Sequence, residues 1–217
     1  MDTTLASGHL LVLGASGRTG QQLVRLALDA GYRVTACARK TESIPGNHPR
    51  LCKCALDIND AASILAALDP VPDAVLSTLG IFHKTDSTPL ADGTRNILSA
   101  MQDRGVRRLV LMSSLGVGDS RGQGNFIVAL VSRFILPYVL RDKELQERLV
   151  KTSGLDWTIL RPPQLLPSDQ SRFYEMWEGD PPKKRLRWKI STLDAAQAML
   201  NVLRSPNSCG RQYQISY

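Results

Sequence analysis

Short apolar runs alternate along this chain with longer segments in which apolar residues recur every three or four positions. The short runs are typical of strands, whereas Leu23, Leu26, Ala27 and Ala30 follow helical spacing before Gly31. The predicted strands span residues 9–14, 32–39, 50–57, 73–80, 106–114, 156–162 and 211–217, and the predicted helices span residues 18–31, 59–69, 92–105, about 126–153 and 192–205. This alternation predicts a doubly wound parallel sheet with helices on both faces, an α/β fold.

Local features refine this outline. Asn59 is the predicted N-cap of the second helix, and Pro137 is expected to kink or divide the long helical region. The run from Leu109 to Met112 is apolar at every position, as expected for a strand buried on both faces. Residues 163–190 are polar and weakly periodic. They are interpreted as a substrate-side loop or small lobe within a single domain covering residues 1–217.

Composition and charge narrow the classes of partner. The 217 residues are 43% hydrophobic, and no apolar run approaches the roughly 18 residues that span a bilayer. The apolar run at residues 9–14 leads into a glycine turn, so it is interpreted as a strand and not a signal peptide. The net charge is +7, but the densest basic cluster, residues 183–189, carries no nucleic-acid-binding motif. We therefore expect neither a membrane nor a nucleic-acid partner.

The cysteines and histidines do not have the spacing of a metal or redox site. Cys52 and Cys54 lie two residues apart on a predicted strand and share a face, without forming a CxxC motif. With Cys37 and Cys209 they are interpreted as reduced thiols, which is typical of the cytoplasm. The three histidines are scattered, so no metal site is expected.

The strongest motif is a glycine turn between the first strand and the first helix. Gly14, Gly17 and Gly20 form the pattern GxxGxxG in the sequence GASGRTG, which also includes Ser16, Arg18 and Thr19. In such turns the three glycines permit the tight turn, the approach of a pyrophosphate and the close packing of the helix on the sheet. The helix N-terminus then offers free N–H groups to the phosphates. The strand–turn–helix context predicts a dinucleotide site in a Rossmann-type domain.

The end of the second strand indicates which dinucleotide is bound. An acidic residue there would bind the ribose 2′-hydroxyl of NAD, but this chain carries Arg39 and Lys40. A guanidinium suits a 2′-phosphate, and Arg18 in the turn supplies a second cation. The sequence therefore favours NADP(H) over NAD(H). The alternative is that both residues are ordinary solvated cations at a strand end.

Several motifs together carry a family resemblance that covers nearly the whole chain. The chain resembles the atypical short-chain dehydrogenase/reductases, in particular the NAD(P)-binding group that includes the NmrA-like proteins and the biliverdin-IXβ and flavin reductases. The motifs are GASGRTG (14–20), LDIND (56–60), STLG (77–80), DGTRNILSAMQDRGVRRLVLMSS (92–114), KELQERLVKTSGLDWTILRP (143–162) and LDAA (193–196). They are specific for fold and cofactor, and much less so for substrate.

The resemblance implies roles for residues on the adenosine side of the site. Asp57 and Ile58 would border the adenine. Thr78, Leu79 and Gly80, at the end of the fourth strand, would line the adenosine ribose and the diphosphate. Ligands of such sheets bind beyond the carboxyl ends of the strands, where all five positions are predicted to lie.

The resemblance also implies roles on the nicotinamide side. Ser113 and Ser114 would face the nicotinamide at the end of the fifth strand, and Pro162 and Pro163 would form its wall. Lys143 matches the family lysine that holds the nicotinamide ribose hydroxyls. Ser114 and Lys143 are therefore also catalytic candidates.

The chain departs from the family at the tyrosine that acts as the proton donor. Family members with ordinary reductase chemistry carry YxxxK, but Val139 stands four residues before Lys143. Tyr138 is the nearest candidate acid, yet it lies about 100° away around a helix and is expected to point elsewhere. A conjugated acceptor would instead take its proton from solvent, with Ser114 orienting it.

Two further groups of residues are weaker candidates. Asp119 and Arg121 lie in a glycine-rich loop that is interpreted either as closing over substrate or simply as flexible. Aromatic residues cluster in the substrate-side segment and would form either a wall for a planar ligand or a small core. They are Phe173, Tyr174, Trp177 and Trp188.

The sequence thus predicts an NADPH-dependent reductase of a small, planar or conjugated substrate, cytoplasmic and either monomeric or homodimeric. Two alternatives stay open: a non-catalytic NADP(H)-binding regulator or sensor, and a redox-neutral enzyme that uses the same pocket.

Overall fold

A twisted sheet of eight strands forms the centre of the protein. The computed structural model describes residues 8–81, 85–123, 137–182 and 186–217. The strands are β1 (His9–Leu13), β2 (Arg33–Ala38), β3 (Leu51–Ala55), β4 (Ala74–Ser77), β5 (Arg108–Met112), β6 (Asp156–Arg161), β7 (Gln164–Leu166), β8 (Glu175–Trp177), β9 (Lys189–Ser191) and β10 (Arg211–Ser216). The strands lie in the order β3-β2-β1-β4-β5-β6-β10-β8. From β1 the chain adds strands first toward β3 on one side and then from β4 on the other side. Such sheets bind ligands at this switch point between β1 and β4.

Five α-helices among the described residues cover the two faces of the sheet. They are α1 (Arg18–Asp29), α2 (Ala61–Ala67), α3 (Pro89–Asp103), α4 (Pro137–Lys151) and α5 (Thr192–Leu203). Helices α1 and α5 pack against each other on one face, while α3 packs against α2 and α4 on the other. The predicted doubly wound α/β architecture is confirmed.

Alternate side chains of the buried strands point to opposite faces of the sheet and contribute to two separate hydrophobic cores. Leu10 and Val12 of β1 belong to the core under α1 and α5, whereas Leu11 and Leu13 belong to the core under α2 and α3. Every residue of β1 is buried, as are the four apolar residues from Leu109 to Met112 in β5. This explains why these strands read as continuous apolar runs.

The predicted N-cap of α2 was wrong by one residue. The Asp60 carboxylate accepts the hydrogen bond from the Ala62 N–H at 3.0 Å, so Asp60 is the cap. Asn59 instead donates its backbone and side-chain N–H groups to the Asp57 carboxylate at 2.9 and 3.1 Å. Both residue types are good caps, and the preceding Asp57 turn decides between them.

Residues 163–190 contain more regular structure than the sequence predicts. Strands β7 and β9 form a small parallel pair, and β8 joins the main sheet antiparallel to β10. Each of these strands is three residues long, which is too short to show a period in the sequence. Of the long helix predicted at about 126–153, residues 137–151 are helical as α4, and residues 126–136 lie outside the described residues.

Candidate functional site

The glycine turn between β1 and α1 forms a tight, side-chain-free cradle. Gly14 has a φ of +77°, which favours glycine, and the Gly17 N–H donates to the Gly14 carbonyl at 3.0 Å. A Cβ atom on Gly20 would lie 2.2 Å from the Gly14 carbonyl oxygen, so only glycine fits there. Gly17 is the N-cap of α1 and makes no side-chain cap. Free N–H groups and the positive end of the helix dipole are thus open to an anion.

A cavity of about 450 Å³ lies beyond the carboxyl ends of β1, β2 and β4. It brings together the predicted adenosine-side residues with part of the glycine turn. These are Gly14, Ser16, Gly17, Arg39, Asp57, Ile58, Thr78, Leu79 and Gly80. The Thr78 hydroxyl donates to the Leu13 carbonyl at 3.0 Å and contacts the Gly14 carbonyl at 3.2 Å. These contacts connect the end of β4, which lines the cavity, to the glycine turn between β1 and α1.

The two cations at the end of β2 differ in position. Arg39 is exposed and lines the cavity, and within the described part of the chain its guanidinium has no hydrogen bond or ion pair. Lys40 is also exposed, but it is not among the described residues that line the cavity. Arg39 is therefore the cation of the pair that is placed to contact a ligand.

A second cavity, of about 280 Å³, continues from the first toward the end of β5. The two cavities share Gly17 and the segment from Thr78 to Gly80. The second brings together the residues predicted for the diphosphate and nicotinamide sides. These are Arg18, Thr19, Gly20, Ser113, Ser114, Lys143, Pro162 and Pro163, with Met112, Leu165 and Thr192.

One polar side-chain atom of a residue that lines this second cavity is buried without a partner among the described residues. The Ser113 hydroxyl is buried and has no hydrogen-bond partner among the described residues. The neighbouring Ser114 hydroxyl donates to the Leu115 carbonyl at 3.2 Å. A buried hydroxyl without a partner is costly, so a bound polar group would stabilise it. This atom and the Gly20 contact fit a nicotinamide dinucleotide lying along the two cavities.

Lys143 is buried between α4 and β5. It is 8% exposed, and its ammonium donates to the Met112 carbonyl at 3.4 Å. Burial lowers the pKa of Lys143 to about 8, because the cost of desolvating the ammonium exceeds the attraction of the Glu147 and Asp142 carboxylates. The Lys143 amine is therefore mainly protonated at neutral pH and loses its proton in mildly basic solution.

Tyr138 lies apart from this cluster. It is 41% exposed on the first turn of α4 and is not among the described residues that line either cavity. The sequence offers Tyr138 as the nearest candidate acid but predicts that it points elsewhere, and it lies outside both cavities. The catalytic role stays a prediction.

The aromatic residues of the substrate-side segment do not form one wall. Trp177 and Trp188 meet edge to face with ring centroids 6.3 Å apart, while Phe173 is 84% exposed. Tyr174 packs against the core under α1 and α5, and its hydroxyl accepts a hydrogen bond from Asn201 at 3.2 Å. None of the four lines the two cavities described above.

Asp194, at the start of α5, anchors the substrate-side segment from both ends. Its carboxylate accepts hydrogen bonds from the Ser171 hydroxyl at 2.6 Å and from the Arg172 N–H at 3.1 Å. It also accepts from the Ser191 hydroxyl at 2.9 Å and from the Tyr217 hydroxyl at 2.5 Å. The chain between residues 172 and 191 is therefore fastened at both ends to one buried carboxylate.

Sequence reasoning missed the ionic pair that joins α4 to the end of β6. Arg161 is fully buried and forms two hydrogen bonds with the Glu147 carboxylate, at 2.9 and 2.6 Å. Glu147, which is 2% exposed, lies one helical turn after Lys143. The spacing of four residues places Lys143 and Glu147 on one helix face, but it gives no indication that Arg161 is the partner of Glu147.

This pair also accounts for the glycine-rich loop after β5. Asp119 pairs with Arg161, and its other oxygen accepts from Gln212 at 2.7 Å. Arg121 pairs with Glu144 of α4. The carboxylate of Asp119 therefore serves to fasten the loop to the structure, which does not support the interpretation that it closes over substrate.

A third buried carboxylate, Asp142, joins α4 to α3. It is 1% exposed and accepts hydrogen bonds from the Leu90 and Ala91 N–H groups at 2.9 and 2.8 Å. These are free donors of the first turn of α3. The residue next to Lys143 thus fixes α4 against the neighbouring helix.

The described residues include neither a metal-binding cluster nor a membrane-spanning helix. Among them, no group of three or more His, Cys, Asp or Glu side chains is arranged to hold a metal ion. No helix in the described ranges has the length and apolar character required to cross a membrane.

The fold and the glycine cradle define a Rossmann-type nucleotide-binding protein. A family model described as NAD(P)H-binding matches residues 14–206, which is most of the chain. The chain belongs to this NAD(P)H-binding family, and the resemblance to atypical short-chain dehydrogenase/reductases is confirmed.

Curated relatives carry several different activities in their names. The chain is 30% identical over 196 residues to a 3 beta-hydroxysteroid dehydrogenase/Delta 5-->4-isomerase of Mycobacterium tuberculosis, covering 81% of this chain and 52% of that protein. It is 35% identical over 114 residues to cinnamoyl-CoA reductase 1 of Oryza sativa, covering 48% and 34%. An uncharacterized sugar epimerase, YhfK of Bacillus subtilis, is 29% identical over 168 residues, covering 70% of each chain. The chain thus spans only about a third to a half of the length of the first two.

Solved structures share the fold over nearly the whole chain. A short-chain dehydrogenase/reductase of Veillonella parvula, in complex with NADP, superimposes with a TM-score of 0.82 at 17% identity, covering 97% of this chain and 94% of that one. ChuY, an anaerobillin reductase of Escherichia coli O157:H7, gives a TM-score of 0.78 at 23% identity, covering 95% and 96%. At these identities the likeness shows the fold.

Removal of the Glu147 charge is expected to destabilise the protein strongly. Glu147→Gln removes the buried counter-charge of Arg161 and leaves the partly exposed Asp119 as its acidic partner, at a cost of up to about 3–5 kcal/mol in the free energy of unfolding. Urea denaturation measures this loss. The control is Asp29→Asn in the exposed pair Arg25–Asp29, which should cost less than about 1 kcal/mol. Equal small losses at the two positions would contradict the importance of the buried pair.

Cofactor affinity should fall as the pH rises through the pKa of Lys143. Below about pH 8 the Lys143 ammonium is charged and attracts the anionic dinucleotide, and above it this charge is lost. Titration of NADPH fluorescence from pH 6.5 to 9.5 should therefore show a dissociation constant that increases at the alkaline end. Lys143→Met should bind more weakly and lack this increase. An identical pH dependence in the variant and the parent would contradict the assignment.

Proposed function

We propose that this protein is an NADPH-dependent reductase of a small, planar or conjugated substrate. The observation that carries the proposal is the meeting of Ser113, Ser114 and Lys143 in the cavity that continues from the glycine cradle. Ser113 and Lys143 would also contact the cofactor itself, so the case for a reaction rests on Ser114, whose hydroxyl lies in the same cavity and can turn from the Leu115 carbonyl toward an acceptor. The reductase and dehydrogenase names of the similar proteins support the same class of reaction.

The residues of the second cavity have distinct roles in this proposal. Bound NADPH supplies the hydride. Lys143 binds the nicotinamide ribose hydroxyls. The Ser113 hydroxyl gains its hydrogen-bond partner on the nicotinamide side of the cofactor. Pro162 and Pro163 line the same side of the cavity and exclude water there. The Ser114 hydroxyl gives up its hydrogen bond to the Leu115 carbonyl and instead makes a hydrogen bond that orients the acceptor.

The proton source restricts the class of substrate. Tyr138 is exposed to solvent and outside the cavities, so α4 supplies no tyrosine acid from that position. Reduction of an isolated carbonyl benefits from a positioned acid, because negative charge develops on one oxygen. A conjugated acceptor spreads that charge and takes its proton from water. The reductase name of the anaerobillin-reducing neighbour agrees with such a substrate.

The preference for NADP(H) over NAD(H) depends on Arg39. Its guanidinium has no partner among the described residues and lines the cavity of about 450 Å³, here called the adenosine cavity. A 2′-phosphate bound there would accept charge-assisted hydrogen bonds from it. Arg18 lines the adjoining cavity and adds positive charge near the diphosphate, and Lys40 contributes only to the local field. The solved neighbour in complex with NADP is consistent with this choice.

The second candidate function is a non-catalytic NADP(H)-binding regulator. The absence of tyrosine at position 139 favours it, since Val139 occupies the place of the family acid. A redox-neutral enzyme using the same cavities is the third. In each case the partner is a small molecule, and we propose a single cytoplasmic domain that is monomeric or homodimeric.

Arg39→Glu should reverse the cofactor preference. The substitution removes a charge-assisted contact worth about 1.5–3 kcal/mol and adds repulsion, so NADPH should bind at least ten- to a hundred-fold more weakly. NADH affinity should change little. Parallel fluorescence titrations measure both dissociation constants, with Arg25→Glu on exposed α1 as the charge-matched control. An equal loss for both nucleotides would remove the basis of the selectivity.

Turnover separates the reductase from the regulator. NADPH oxidation, followed by absorbance against flavins, quinones, bilins and aldehydes, should proceed with a conjugated acceptor and be lost in Lys143→Met. Tyr138→Phe should retain nearly full activity, because its hydroxyl lies outside the cavities. A thousand-fold loss in Tyr138→Phe would overturn the proposed proton source. Tight NADPH binding without turnover of any acceptor would favour the regulator.

A further inference from the structure

Two cysteines face each other across the strands that support the adenosine cavity. Cys37 of β2 and Cys54 of β3 are direct partners in the parallel register. Partners in a parallel pair point to the same face of the sheet; Cys37 belongs to the core under α2 and α3, and the partly buried Cys54 packs against that core. Their juxtaposition is fixed by the sheet and does not depend on a loop.

The spacing of the strands suits a covalent bond between these thiols. Neighbouring strands lie about 4.7–4.9 Å apart, and the Cα atoms of a disulfide usually lie about 4.4–6.8 Å apart. Direct partners on adjacent strands therefore meet the Cα requirement. The Cβ atoms of a disulfide are about 3.8 Å apart, so bond formation draws the two side chains together by roughly an ångström.

The two thiols have complementary environments. Cys37 is 1% exposed and lines the adenosine cavity, whereas Cys54 is partly exposed on the edge strand. A hydrogen bond from the Cys37 thiol lowers the pKa of the Cys54 thiol, against the opposing effect of burial. Cys54 is thus the accessible, thiolate-forming member, and Cys37 is placed to resolve an oxidised Cys54.

Cys37 is also connected directly to the glycine turn. Its carbonyl accepts the Ala15 N–H at 3.0 Å, and the following Ala38 carbonyl accepts the Leu56 N–H at 3.0 Å. Movement of β2 toward β3 at Cys37 is therefore transmitted to the cradle and to the wall that bears Leu56. Both structures line or support the adenosine cavity.

We propose that Cys37 and Cys54 form a redox-active pair that hydrogen peroxide converts into a disulfide, and that this disulfide weakens cofactor binding. The Cys54 thiolate attacks peroxide, forming a sulfenic acid and releasing hydroxide, which takes up a proton to become water. The Cys37 sulfur then attacks the Cys54 sulfur, releasing a second water. Two thiols are oxidised, one peroxide is reduced, and dithiothreitol reverses the bond. The proposal requires dinucleotide binding but not the reductase activity.

Peptide mapping can identify the bond because of where trypsin cleaves. Cleavage after Arg33, Arg39, Arg50, Lys53 and Lys84 separates the three cysteines of β2 and β3 into the peptides 34–39, 51–53 and 54–84. Full-length protein is treated with peroxide, its remaining thiols are alkylated, and the digest is examined by mass spectrometry. Peptide 34–39 joined to peptide 54–84 is the expected product.

Cys52 supplies the matched control, because it lies on the same strand and opposes Thr35 in place of a cysteine. Cys52→Ser should form the 34–39 to 54–84 link as the parent does, and Cys54→Ser should not form it. A link to peptide 51–53, or Cys54 oxidised to sulfinic acid while Cys37 stays reduced, would overturn the pairing. So would a complete absence of reaction.

The effect on the cofactor is measured on the same samples. NADPH should bind about tenfold more weakly after peroxide treatment, which corresponds to about 1.4 kcal/mol, and dithiothreitol should restore the affinity. Cys54→Ser should keep its affinity after peroxide treatment, and Cys52→Ser should lose affinity as the parent does. Formation of the disulfide with unchanged affinity would overturn the proposed effect on binding.

Discussion

The buried pair between Arg161 and Glu147 connects the parts that shape the second cavity, where we propose that the nicotinamide binds. Arg161 ends β6 directly before the two prolines of the cavity wall, and Glu147 lies one turn from Lys143. Asp119 extends the same ionic contact to the loop after β5. Such a pair gains little net free energy over an apolar one, but it penalises any packing that leaves one charge alone. Its main effect is therefore to fix the positions of strand end, helix and loop relative to one another.

The other end of the site depends on close backbone approach and not on charge pairing. Gly20 leaves no room for a side chain against the Gly14 carbonyl, and Thr78 ties the end of β4 to the same turn. One end is thus shaped by the absence of side chains and the other by paired charges. The Ser113 hydroxyl at the second end has no hydrogen-bond partner among the described residues.

Sequence patterns predicted the parts of the molecule that follow local rules. The glycine turn, the buried strands and Lys143 all have a spacing or a motif that identifies them. The partnership of Arg161 with Glu147 and Asp119 could not be predicted, because it joins residues brought together only by the packing of α4 on the sheet. The cap at Asp60 was missed because adjacent Asn59 has the same local preference. The three-residue strands β7, β8 and β9 were missed because so short a segment has no period.

The hydrogen bonds that converge on Asp194 hold both ends of the substrate-side segment against the start of α5. Ser171 and Arg172 on one side, and Ser191 and Tyr217 on the other, attach to the same carboxylate at the start of α5. Between those attachments, β8 pairs with β10 and Tyr174 packs against the core under α1 and α5, so this stretch is built into the edge of the main sheet. Loss of the Asp194 carboxylate would therefore loosen that outer edge of the sheet as well as both ends of the segment.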